Sequence, residues 1–130
     1  MNEANAPAGQ ALAIKAESLY LINLMLAPGL AFLVLAWLWF KHRRTAPPLA
    51  RCHLEQTFFV SLWGGALIVV ACAAFLFLFG WDWEWTWVFV ILYFTGVHST
   101  LILFGMLGLA KAMAGKPYVY PWIGPRCEGV

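Results

Sequence analysis

Hydrophobic positions in this chain do not alternate with polar ones. They run in three blocks, at about residues 19–40, 57–79 and 85–109, that contain no Asp, Glu, Lys or Arg. Each is close to the roughly 20 residues that cross a bilayer core as a helix. The blocks are apolar on every face, whereas a membrane β-strand would alternate over about ten positions. In lipid an unpaired amide has no water to bond, so an uncharged stretch of this length crosses coiled. The pattern therefore predicts an all-α integral membrane protein. It has three transmembrane helices, short loops and an irregular C-terminal tail lying in the interface. Residues 1–18 read as a polar N-terminal segment on the external side. Residues 19–130 read as one three-helix domain with its tail at 110–130. Lys41 to Arg44 and the Pro47-Pro48 pair end the first block, Gly80 to Glu84 turn between the second and third, and Pro117 stops the last helix.

Composition agrees: 63% of the 130 residues are hydrophobic and 11% are charged, against about 25% charged in a soluble domain. The placement of charge says more than its sum. Of 8 Lys and Arg, Lys41, Arg43, Arg44 and Arg51 lie between the first two blocks, and Lys111, Lys116 and Arg126 follow the third. Only Lys15 precedes the first. Cationic residues stay on the cytoplasmic side, so the N-terminus is expected outside and the C-terminus in the cytoplasm of a bacterial inner membrane. Trp81, Trp83, Trp85 and Trp87 then form an outer aromatic belt. The Lys41, Arg43, Arg44 and Arg51 group sets topology and can meet anionic lipid headgroups. The first ten residues hold no Lys or Arg, and no cleavable signal peptide is expected. The 3 cysteines form no CxxC pair and are expected as reduced, structural thiols. Membrane lipids and other membrane subunits are the expected partners; no nucleic acid is.

Inside the blocks, Pro28-Gly29 predicts a kink or hinge, because proline removes an amide donor and clashes with the preceding turn. Ser61, Gly64, Gly65 and Cys72 fall on one face of the second block, and Gly105 and Gly108 on one face of the third. Small residues let membrane helices approach closely, so the second and third helices are expected to pack along these faces. His98 is the one ionisable residue deep within a block. Such residues are costly in lipid and mark candidate sites. Two readings apply: a histidine hydrogen-bonded to a neighbouring helix, or a cofactor ligand. His42 and His53 sit at the cytoplasmic edge, on the order of 15 Å from His98 along a helix. A haem at His98 would therefore need its second ligand from a partner. No other cofactor and no metal is expected. Asp82 and Glu84 read as a solvated turn.

The C-terminal segment pairs Ala110 and Ala112 with Gly115, Tyr118, Tyr120 and Pro121, an A-x-A-x-x-G-x-x-Y-x-Y-P pattern, and His53 and Gln56 form an H-x-x-Q before the second block. In these two motifs the chain resembles small bacterial membrane proteins of the Tic20-like, DUF4870 type over roughly residues 20 to 124. The plastid relatives look like parts of a protein-import channel, so the resemblance implies a homo-oligomeric channel or translocon-like role as one alternative. The chain departs from that pattern in its tryptophan-rich turn. The sequence holds no catalytic triad, P-loop, HExxH or CxxC, and an enzyme is not expected. The leading expectation is an accessory or assembly subunit beside a larger membrane complex; a haem-binding subunit through His98 is the third.

Overall fold

A computed structural model describes residues 5–129. Among them are four helices and no strand: α1 (Gln10–Met25), α2 (Leu30–His42), α3 (Pro48–Phe79) and α4 (Glu84–Met113). Only α3 and α4 are long and apolar enough to cross a membrane. Their 32 and 30 residues reach about 48 and 45 Å at 1.5 Å per residue. The expectation of three membrane-spanning helices is thus corrected to two.

The block at 19–40 is not one span with a kink. Its Pro28-Gly29 pair separates two short helices and reverses the chain. Pro28 offers no amide, Gly29 takes φ +84°, and the Gly29 amide is held by the Asn23 side chain at 2.9 Å. The helices on either side fold against each other. Ala16 of α1 packs with Leu35 of α2 and with Ala46, Ala50 and Leu54, and Leu12, Leu38 and Trp39 surround them. In a continuous helix Leu12 and Trp39 would stand about 40 Å apart. Apolar burial between α1 and α2 thus decides what the sequence left as a bend.

This hairpin enters from one end of the α3–α4 pair and stops partway. The start of α1 lies at the end of α4, where Gln10 Nε2 donates to the carbonyls of Ala112 (3.3 Å) and Met113 (2.7 Å). Further in, Tyr20 donates to the Leu101 carbonyl at 3.2 Å, and Leu24 joins the cluster that holds Ile68 and Val97. The tip therefore reaches the middle of α3 and α4. Beyond it these two helices continue as a pair, joined by stacked Phe75 and Phe89 and by Tyr93 donating to the Leu67 carbonyl at 3.0 Å.

Two expectations about ends change as a result. Helix α1 begins at Gln10, inside the segment read as polar and external. The start of α1 and the end of α4 with the tail that follows it share one end of the bundle. All 8 Lys and Arg, Lys15 included, now lie toward that end, and the Trp81 to Trp87 turn with Asp82 and Glu84 forms the other. The tail itself folds back over the start of α3. Trp122, at φ +67° and 93% exposed, points outward from it.

Candidate functional site

The tail, α1 and α3 enclose a buried polar cluster. Glu17, Tyr20, His53, Gln56, Thr57 and Tyr120 are all buried, none more than 1% exposed. His53 Nδ1 lies 2.6 Å from Glu17 Oε1, and its Nε2 lies 2.9 Å from the Lys116 carbonyl. Tyr120 donates to Glu17 Oε2 at 2.5 Å. The Gln56 side chain accepts the Tyr120 amide at 2.9 Å and donates to the Pro125 carbonyl.

The donor inventory fixes one proton in this cluster. A carbonyl can only accept, so His53 Nε2 carries hydrogen. The 2.6 Å contact between Nδ1 and the carboxyl then needs a second proton between them, and the pair is neutral overall whichever atom holds it. Burial, with the Glu17 carboxylate beside it, pushes the Tyr120 phenol well above its ordinary range. It therefore stays a donor.

Two glycines of α4 make room for α1. A Cβ on Gly108 would stand 2.5 Å from Glu17 Oε2, and one on Gly105 would stand 2.6 Å from the Tyr20 ring. Any side chain there would push Glu17 and Tyr20 out of the cluster. The expected α3–α4 contact through Gly105 and Gly108 is thus not the one formed; both face α1. On α3, Gly64 does meet α4, at Leu101, while Gly65 has open space before it. Ser61 bonds back to the Thr57 carbonyl at 2.6 Å, and Cys72 is a half-buried free thiol.

The motif residues come together here. His53 and Gln56 bind the Lys116 to Pro125 segment, and Tyr120 reaches Glu17. Ala112 is buried and accepts from Gln10. Gly115 turns at φ +68° against Pro7, and the Gly115 amide bonds the Ala112 carbonyl. Tyr118 packs edge-on to Tyr120 at 5.0 Å, Pro121 lines a shallow groove with Phe104, and Ala110 is exposed on the last turn of α4. Glu17 was missed in the sequence. It lies outside the block read as the first span, and only the hairpin brings it to His53. A signal existed in an acid three residues before a tyrosine, in a segment whose other charged residue is Lys15.

The cysteine expectation is also corrected. Cys52 and Cys127 form a disulfide across 75 residues. Sequence spacing could not show it, because the folding back of the tail creates the proximity.

His98 takes no part in the cluster. It is half-buried, stacks on Phe94 at 5.0 Å, and forms no hydrogen bond with another described residue. The neighbouring-helix acceptor expected for it is not supplied by this chain. Thr95 and Ser99 share its outer face of α4 and are exposed. Among the described residues no group of three His, Cys, Asp or Glu is placed to hold a metal. Lys41 and Arg43 lie over aromatic rings, with Lys41 Nζ 4.7 Å from Trp37 and the Arg43 guanidinium 5.1 Å from Trp39. Arg44 is exposed, and its carbonyl accepts from Arg51 at 3.4 Å. The chain matches no protein-family profile, no curated protein and no solved structure.

Proposed function

We propose that this chain is a non-catalytic accessory or assembly subunit of a larger membrane complex, and that it meets its partner halfway through the bilayer. One observation carries this reading: polar groups at mid-depth have no partner among the described residues. At the hairpin tip the carbonyls of Asn23, Leu24, Met25 and Leu26 receive no hydrogen bond from a described residue. The tip is open, with Leu26 80% and Leu30 68% exposed. The Thr95, His98 and Ser99 side chains, at the same depth on α4, form no hydrogen bond with a described residue. Lipid tails offer neither donors nor acceptors, and non-helical backbone persists at this depth only where protein or a water-filled cavity covers it. A partner helix supplies what is missing.

Native gels after mild detergent extraction test this. The chain should migrate with a larger complex, and a His98→Leu, Ser99→Leu double variant should be released from it while keeping its own fold. Migration of the native chain only as a free monomer overturns the reading.

The homo-oligomeric channel, in keeping with the Tic20-like resemblance, has one observation in its favour. The half-depth α1–α2 hairpin is the kind of broken element that lines a cavity between copies. Reconstituted vesicles without flux under any gradient would dispose of it. For orientation we place the cationic end in the cytoplasm of a bacterial inner membrane. The opposite end carries none of the 8 Lys and Arg.

A further inference from the structure

At the cationic end, beside the disulfide, a polar cavity of about 340 Å³ is lined by Arg43, Arg51, Cys52, Glu55, Arg126 and Glu128. We propose that it is the headgroup site of a phosphatidylethanolamine-type lipid, with the phosphate among the three guanidiniums and the ammonium against the two carboxylates.

Three observations point to a ligand of mixed charge. First, although both signs line one cavity, no Arg nitrogen lies within 4.0 Å of a carboxylate oxygen among the described residues. The charges face a shared space that no ion pair closes. Second, one donor there is unspent. Arg51 Nη2 donates to the Arg44 and Ala46 carbonyls at 3.4 Å, but its Nε is buried with no acceptor among the described residues. Buried donors without partners are rare in folded proteins, and phosphate oxygens accept readily from arginine. Third, the depth suits a lipid. Glu55 lies two residues before the apolar run of α3 begins at Thr57, about 3 Å along the axis. Stacked Trp39 and Phe58, 4.3 Å apart, stand on the membrane side of Arg43. A headgroup in the cavity therefore leaves its chains at the apolar surface. Three cations alone would favour any anionic lipid; the two carboxylates select one that also carries an amine. Arg126 and Glu128, the residues flanking Cys127, stand on the rim.

The test is native mass spectrometry of the delipidated protein in detergent, titrated with short-chain phosphatidylethanolamine, short-chain phosphatidylglycerol and free O-phosphoethanolamine. Phosphatidylethanolamine should bind with one-to-one saturation and more tightly than phosphatidylglycerol. Arg126→Gln, at an exposed tail position, should weaken both lipids about 10-fold, the worth of one charge-assisted hydrogen bond. Glu128→Gln should remove the preference between them, and unchanged thermal melting of both variants would exclude misfolding. The proposal is overturned by equal binding of the two lipids to the native chain, by no saturable binding, or by O-phosphoethanolamine binding as tightly as the lipid. The last result would make the ligand a soluble phosphate compound.

Discussion

Replacing Glu17 separates the contribution of its charge from that of its hydrogen bonds. In Glu17→Ala the Tyr120 hydroxyl and His53 Nδ1 lose their common partner inside a buried cluster. Each stranded polar group costs about 1–3 kcal/mol, and breaking a buried ionic pair from one side costs about 3–5 kcal/mol. Because the same atoms enter both figures, the loss should be about 3–5 kcal/mol and not their sum. Glu17→Gln has another outcome. Its amide can donate to a neutral His53 Nδ1 while its oxygen accepts from Tyr120, and His53 Nε2 still donates to Lys116. Every group keeps a partner and only the charge assistance is lost, about 1–2 kcal/mol. Reversible unfolding in mixed micelles, followed by tryptophan fluorescence during a denaturing-detergent titration, measures both. Stability should fall in the order native, Gln, Ala. A Glu17→Ala protein within about 0.5 kcal/mol of native, a change typical of an uninvolved surface site, would refute the reasoning. So would a Gln variant weaker than Ala.

Gly108→Ala and Gly105→Ala should each cost about 1–3 kcal/mol by overpacking. Gly65→Ala and Gly96→Ala, which have nothing within 4 Å of the added carbon, should leave unfolding in the same titration unchanged. For topology, single cysteines at Ala11, Lys116 and Trp81 in a cysteine-free background can be labelled with an impermeant maleimide. Ala11→Cys and Lys116→Cys should react from the same side and Trp81→Cys from the other; reaction of the first two from opposite sides would break the hairpin description. Changing Cys52 and Cys127 to Ser should lower stability by at most about 4.5 kcal/mol, the chain-entropy value for a loop closed over 75 residues. The helices that stay inserted in the denatured state shorten that loop and reduce the effect. Cytoplasmic thiol pools keep such pairs reduced, so alkylation of untreated cells should trap both as thiols if the cationic end is inside. A pair already closed in untreated cells places that end outside.

Part of this protein was determined by sequence alone. Long uncharged runs at 57–79 and 85–109 were legible as helices long and apolar enough to cross a membrane, because the cost of bare amides and ions in lipid is local and needs no knowledge of neighbours. The clustering of Lys and Arg was legible for the same reason. The H-x-x-Q and Y-x-Y-P residues could be singled out, but not what they touch. Tertiary structure decided the rest. A Pro-Gly pair in an apolar run fits a kink and a reversal equally well, and the choice rests on Ala16 meeting Leu35 and Glu17 meeting His53, contacts between residues 19 and 36 positions apart. The single-chain pattern records how much apolar surface exists, and only the packed fold decides which surface covers which. For that reason the buried acid, the disulfide and the meeting of the start of α1 with the end of α4 were not legible before the chain was seen folded.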